Sequence, residues 1–98
     1  MIKLKKKNKE QYVLSRTAET EDKYMLIVGV MDTRERAEQA LEILANGEYD
    51  RLVANGKISY KEVKSSNKII IGNKSIIDDG SIGGYDIIYE IHKTYKWD

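Results

Sequence analysis

The residues whose types could support chemistry are few and widely spaced. The only histidine is His92, and the nearest acid on its predicted strand is Glu90. A general base needs a partner within hydrogen-bond reach, and a metal site needs several ligands. The chain has no cysteine, which removes thiol nucleophiles, thiolate metal sites and disulfides. We therefore predict an exposed structural histidine in a non-enzymatic protein, with no catalytic residues, metal ligands or cofactor.

Two glycine-containing segments resemble ligand-binding loops in composition, but their residues lack the spacing that such loops require. Residues 71–75 end like a phosphate-binding loop, but Asn73 separates Gly72 from Lys74 and predicted strands flank the segment. Residues 78–81 lack the alternating oxygen ligands and closing glutamate of a calcium loop. We predict a turn and a flexible surface loop. Loops carry much binding function, so the candidate binding residues here are Asp78, Asp79, Gly80, Gly83 and Gly84.

Basic residues suggest a second candidate surface. The first nine residues contain no acid but five lysines: Lys3, Lys5, Lys6, Lys7 and Lys9. One interpretation is a solvated end or an edge strand protected by lysine; the other is an arm that binds phosphates or an acidic partner. Arg16 would join such a surface if its strand lay nearby, and strand tyrosines could stack on bases. A net charge of +1 argues against a whole surface built for nucleic acid.

The stretch from Lys23 to Leu44 predicts a strand followed by a helix, the unit around which the other elements are arranged. Residues 23–31 are apolar on both faces, which predicts a central strand covered on both sides. Asp32 is the predicted N-cap of the following helix, with Glu35 completing a capping box. Helical spacing of apolar residues continues to Leu44, and Gly47 is the predicted C-terminal stop.

The remaining elements follow from periodicity and turn residues. We predict an α+β fold for residues 1–98 as a single domain: an antiparallel sheet of about four or five strands with one main and one short helix, in the order β-β-α-α-β-β-β. Residues 1–9 form a lysine-rich arm or edge strand. The other predicted elements are strand Tyr12–Thr17, short helix Glu48–Asn55, strand Lys57–Val63, a hairpin of Lys68–Ile71 and Ser75–Ile77, and strand Tyr85–Tyr95.

The predicted second strand raises the question of what covers it. Only one substantial helix is predicted, yet this strand is apolar on both faces. Either the short helix and the isoleucine-rich hairpin cover the second face, or another chain does. An uncovered apolar face of several hundred Å² would be an interaction surface. The pattern thus predicts homodimerisation or binding to a partner.

Composition indicates where such a protein would work. No apolar run approaches the roughly 20 residues that span a bilayer, and no hydrophobic stretch of a signal peptide follows the N-terminal lysines. We expect a cytoplasmic protein without membrane contact. The absence of proline and phenylalanine beside many Lys, Ile, Asn and Tyr is typical of an AT-rich genome, such as a low-GC bacterium or its phages.

The run from Tyr12 to Leu44 resembles small accessory proteins of phages and prophages. In these, a hairpin leads through a Gly-Val-x-Asp/Ser-Thr/Ser-x-Glu-x-Ala turn into a helix, and a late strand closes the sheet. Gly29-Val30, Asp32-Thr33 and Arg36-Ala37 match this pattern. The resemblance implies a protein that blocks a host enzyme or defence system.

The leading functional hypothesis is therefore a small binding protein that inhibits or redirects a host protein. The alternative is a nucleic-acid or nucleotide-binding module that uses the lysine-rich arm and the strand tyrosines. The salt dependence of binding distinguishes the two hypotheses. Counterion release makes nucleic-acid affinity fall steeply as salt rises, whereas an apolar protein interface should tolerate salt.

Overall fold

Alternating apolar and polar residues build a five-stranded antiparallel sheet with one helix on one face, which confirms the α+β prediction. The computed structural model describes residues 9–19, 24–76, 80 and 82–96. The elements follow the order β1 Lys9–Ala18, β2 Tyr24–Met31, α1 Arg34–Ala54, β3 Ile58–Ser65, β4 Lys68–Ile76 and β5 Ile82–Lys96.

The strands lie in the order β2-β1-β5-β4-β3. Two hairpins, β1–β2 and β3–β4, flank the long strand β5, which pairs with β1 on one side and β4 on the other. The first and last strands of the described chain, β1 and β5, therefore pair with each other in the middle of the sheet. No helix among the described residues is long and apolar enough to cross a membrane.

The core lies between α1 and one face of the sheet. Ala37, Leu41 and Ala45, spaced by four residues, form the buried stripe of the helix. The buried hydrophobic residues of the strands alternate in sequence, so they share the helix-facing side of the sheet. These residues are Tyr12, Leu14, Ile69, Ile71, Ile87, Tyr89 and Ile91.

The helix begins one residue later than predicted. Thr33, not Asp32, is the N-cap: its backbone is extended (φ −128°, ψ 148°) and its hydroxyl accepts from the Arg36 amide at 3.2 Å. Glu35 then falls at N2 rather than N3, so the predicted capping box is wrong. Its carboxylate still lies in the first turn, where the helix dipole favours negative charge.

The cap position gives a direct prediction. We expect Thr33→Ala to lower the free energy of unfolding by about 1 kcal/mol, because an orphan helix amide loses its acceptor. Asp32→Ala is the matched control and should cost less than about 0.5 kcal/mol, as at other exposed sites. Urea denaturation followed by circular dichroism measures both. A larger loss for Asp32→Ala than for Thr33→Ala would contradict this assignment.

The predicted break at Gly47 and the second short helix are wrong. One helix runs through both segments to Ala54, because residues beyond Gly47 are held against the sheet. The helix ends instead in a Schellman motif: the Gly56 amide donates to the Val53 carbonyl and the Lys57 amide to the Leu52 carbonyl. Gly56 has a φ of 74°, a left-handed conformation that glycine adopts at little cost.

The predicted hairpin around Gly72-Asn73-Lys74 is also wrong. The strand β4 runs without interruption from Lys68 to Ile76, and Gly72 lies opposite Tyr60 of β3 and Asp86 of β5. A β-carbon at Gly72 would lie 1.7 Å from Cε1 of Tyr60. Gly72 therefore leaves space for the Tyr60 ring, which crosses over it, and does not form a turn.

The strand predicted to be central, β2, lies at the edge of the sheet. Its register against β1 shifts between Leu14 and Ser15, so that Val28 has no opposite residue. This bulge changes the side-chain alternation along the strand. Met25, Ile27 and Val30, which lie opposite alternate residues of β1, thereby share the side of the sheet away from α1.

Candidate interaction surface

Of the predicted binding residues, the structure describes Lys9, Arg16, Gly80, Gly83 and Gly84. Lys3, Lys5, Lys6, Lys7, Asp78 and Asp79 lie outside the described residues. Lys9 starts β1 opposite Lys96, and only its backbone is described. Gly80, with a φ of 84°, lies between β4 and β5. Gly83 and Gly84, predicted in the loop, belong instead to β5, opposite Ser75 and Lys74.

Arg16 lies under the helix. Its Nε donates to Glu48 Oε1 at 2.9 Å and its Nη2 to Oε2 at 2.7 Å, forming a two-pronged ion pair between β1 and α1. The Tyr89 hydroxyl donates to the same Oε1 at 2.5 Å. We call Arg16, Glu48 and Tyr89 the buried polar cluster. Its guanidinium is engaged inside the fold, so Arg16 gives little free charge to a basic surface.

The pKa values in the buried polar cluster reflect competing effects. Burial opposes ionisation of Glu48, but the hydrogen bonds from Arg16 and Tyr89 outweigh it and lower the pKa of the carboxyl. Burial, together with the bond to Glu48, raises the pKa of Tyr89 to about 12. The bond to Glu48 raises the pKa of Arg16. All three groups thus keep their usual charge states at neutral pH, and the cluster joins sheet to helix.

The tyrosines proposed as base-stacking platforms have other partners. Tyr12 and Tyr89 belong to the core, with 7% and 4% of their surface exposed. Tyr60 lies across Gly72 and donates from its hydroxyl to Asp86 Oδ1 at 2.6 Å. This bond raises the pKa of Tyr60. Tyr95 is 53% exposed, with the Lys93 ammonium 5.8 Å from its ring centre.

His92 contacts a serine without forming a hydrolase site. Its Nε2 lies 2.8 Å from Ser15 Oγ, and Glu90 Oε1 lies 3.9 Å from the same nitrogen. In a catalytic triad the carboxylate contacts the other ring nitrogen. Ser15 is 1% exposed, so a substrate could not reach its hydroxyl. The contact ties β1 to β5, as expected of a structural histidine.

A groove of about 290 Å³ lies between α1 and the β3–β4 hairpin. On its polar side, Lys61 Nζ donates to Asn46 Oδ1 at 2.6 Å, and the same ammonium lies 5.7 Å from the Tyr49 ring centre. Leu41, Val63 and Ile69 supply its apolar part. Within the described chain, no group of three or more His, Cys, Asp or Glu side chains could hold a metal ion.

The most prominent surface is apolar. Of ten exposed large hydrophobic residues among those described, five lie on β2: Met25, Leu26, Ile27, Val28 and Val30. Their exposed fractions run from 38% to 57%. This concentration on one short strand is unlike the single, scattered apolar residues that are normal on protein surfaces.

The side of the sheet away from α1, which we call the open face, continues this apolar strand. Met25, Ile27 and Val30 form its margin on β2, and the half-buried Ile88 and Ile70 extend it across β5 and β4. Polar groups on it bond to each other, as in the Ser15–His92 and Tyr60–Asp86 pairs. No helix or strand of the described chain packs on this face.

The sequence indicates an apolar surface that its own helix cannot cover, but not the position of that surface in the sheet. The signal was the apolar run of residues 23–31, which suits a covered central strand and an uncovered edge strand equally well. Glu48, Asp86 and Ser15 were not singled out, because their roles depend on partners far away in sequence.

The chain matches no protein-family model, no curated protein and no solved structure.

Proposed function

We propose that this chain is a non-enzymatic protein-binding module whose contact surface is the open face with its β2 margin. In line with the phage accessory proteins it resembles, the partner is a host protein that it inhibits or redirects. The observation that carries the proposal is the half exposure of Met25, Ile27 and Val30 on one side of one strand. Removing apolar area from water is favourable by roughly 25 cal/mol per Å², and the surplus over the entropic cost of association stabilises a complex.

The β2 margin of the open face has the apolar composition of an interface core. The apolar residues of the open face are this margin and the opposed Ile70 and Ile88, beside charged residues that include Glu62, Lys68 and Glu90. The Ser15–His92 and Tyr60–Asp86 pairs on this face are already bonded within the chain. A partner can cover paired polar groups without leaving buried donors or acceptors unsatisfied, which is the main cost of burying polar surface. The uncharged β2 margin therefore favours an apolar protein partner over a phosphate backbone.

The test is capture from a low-GC bacterial lysate by tagged wild-type protein and two variants. Met25→Lys places a charge on the open face and should reduce capture at least about tenfold, a loss of about 1.4 kcal/mol. Val53→Lys is the matched control, because Val53 lies on the helix and is similarly exposed, 50% against 57%. It should capture as well as the wild type.

Nuclease and salt treatments distinguish the two hypotheses. A stoichiometric protein band that survives nuclease and high salt, and is lost in Met25→Lys, supports the proposal. Recovery of nucleic acid alone, or of proteins lost with nuclease, would instead favour the nucleic-acid-binding alternative. In that case replacing Lys3, Lys5, Lys6, Lys7 and Lys9 should abolish capture, since each lost phosphate contact weakens binding and its salt dependence.

A further inference from the structure

The outer edge of β2 is unpaired within the described chain. One side of the strand bonds to β1, and the strand is last in the sheet order. Among the described residues nothing pairs with its outward backbone N–H and C=O groups, and such a row of donors and acceptors is a template for another strand.

The two edges of the sheet differ in charge. The edge strand β3 carries Lys61, Glu62 and Lys64, the kind of residues that discourage pairing between molecules. In contrast, β2 has no charged residue from Tyr24 to Met31. Only the β2 edge lacks this protection.

We propose that two copies of the chain pair through β2, antiparallel and around a two-fold axis perpendicular to the sheet, to form one ten-stranded sheet. A second copy fits this edge because two-fold pairing makes the surface its own complement. It sets no like charges opposite each other, since the strand has none. It also closes at two copies, because the other edge of each sheet is protected by charge.

The bulge at Val28 permits a register in which all eight residues of the strand are paired. Directly opposed residues in antiparallel strands must share a face. With the axis between Ile27 and Val28, Met25 lies opposite Val30 of the second copy, both on the open face. Leu26 then lies opposite Gly29, and both lie on the helix side, as their β1 partners Arg16 and Leu14 do. Without the bulge, this register would place residues of opposite faces against each other.

The area available is consistent with a modest dimer. A strand of eight residues is about 27 Å long, and pairing would set the five exposed apolar side chains of one copy beside those of the other. Leu44, 37% exposed, lies one turn before Glu48 and so on the helix flank toward β1 and β2. Standard interfaces bury about 800 Å² per partner, and both elements contribute toward that area.

This inference goes beyond the proposed function, because the pairing requires no host protein. In the dimer both helices lie on one side of the joined sheet and both open faces on the other. The partner-binding surface would be doubled in extent, and the edge strand would be withdrawn from other contacts.

Sedimentation equilibrium of the purified full chain at about 100 µM tests the pairing. The wild type should sediment as a dimer. Val28→Lys should be monomeric, because two ammonium groups would lie near the axis, roughly 7–8 Å apart or less. Val63→Lys is the matched control on the β3 edge, at 62% exposure, and should stay dimeric. A monomeric wild type, or a dimer lost in Val63→Lys but not in Val28→Lys, would overturn the proposal.

Engineered cysteines test the register. The chain has no cysteine, so Met25→Cys with Val30→Cys introduces the only thiols. Opposed Cα atoms lie about 4.5–5.5 Å apart, within disulfide range, and oxidation should give a covalent dimer. Ile43→Cys, on the helix and 70% exposed, is the control and should cross-link at least about tenfold less. Equal cross-linking would overturn the register.

These tests separate the two proposals. Val28→Lys leaves Met25, Ile27 and Val30 of the open face unchanged, whereas Met25→Lys alters that face. A wild-type dimer with no captured partner would support the pairing and contradict the proposed function. Partner capture by a monomeric wild type would do the reverse.

Discussion

Replacing Glu48 with alanine is expected to lower the free energy of unfolding by about 3 kcal/mol. The carboxylate accepts three hydrogen bonds, two from Arg16 and one from Tyr89, and its side chain is 12% exposed. Removing it leaves the Tyr89 hydroxyl buried without its acceptor and a guanidinium without its counterion. The Arg16 side chain is 29% exposed, so water can reach part of it and limit the loss. Urea denaturation measures the change.

Two variants calibrate this result. Glu42→Ala removes an exposed glutamate from the same helix and should cost less than about 0.5 kcal/mol. Glu48→Gln retains an acceptor for Tyr89 but loses the charge, so it should lie between the two. If Glu48→Ala were no less stable than Glu42→Ala, the cluster would not support the contact between helix and sheet.

The same cluster predicts a pH dependence. The pKa of Glu48 is lower in the folded chain than its ordinary value of 4.5. Its contribution to stability is therefore fully present above that value and is lost as the pH falls through the folded pKa. The fall in stability on acidification should be smaller in Glu48→Gln than in the wild type. Identical acid unfolding profiles would contradict the assignment.

Gly72→Ala is the second substitution with a large expected effect, a loss of about 2–3 kcal/mol in the free energy of unfolding. The new β-carbon would meet the Tyr60 ring at 1.7 Å, so the ring must leave its place over β4. Its hydroxyl would then lose the 2.6 Å bond to Asp86. Thermal and urea denaturation report the loss, and near-ultraviolet circular dichroism reports the displaced tyrosine.

A double-mutant cycle makes this prediction specific. In a Tyr60→Ala background the ring is gone, and Gly72→Ala should cost less than about 0.5 kcal/mol or even stabilise the strand, since alanine restricts the unfolded chain. Gly47→Ala controls for glycine replacement itself, because nothing lies within 4 Å of its β-carbon. Additive losses in the cycle would mean that Tyr60 does not occupy the space over Gly72.

Local periodicity was sufficient to predict which side of an element is buried, where buried and exposed positions alternate regularly along the strand or helix. In β5, the alternation of Tyr85, Ile87, Tyr89 and Ile91 correctly predicted the core side, and the exposed His92 lies on the other. In α1, the helical spacing of apolar residues correctly predicted that Ala37 and Leu41 are buried, but it included Leu44, which is exposed, and not Ala45, which is buried. These patterns repeat every two or four residues, so a short segment contains the whole signal.

Local signals failed where a distant partner changed their meaning. Asn46-Gly47 looks like a helix end, but the helix continues because Glu48 bonds to Arg16, 32 positions earlier. Gly72-Asn73 looks like a hairpin turn, but Gly72 is the place where Tyr60 crosses to Asp86, 26 positions later. In both cases a long-range contact outweighs a local preference worth about 1 kcal/mol.

The sequence by itself determined that an antiparallel sheet packs on a main helix, and that one strand, residues 23–31, has more apolar surface than this helix can cover. Only the tertiary structure decided that this strand lies at an edge, with a bulge at Val28 that gathers Met25, Ile27 and Val30 on the open face. The physical reason is that strand order depends on pairing between distant segments. An apolar strand has the same local pattern whether its neighbours belong to its own chain or to another.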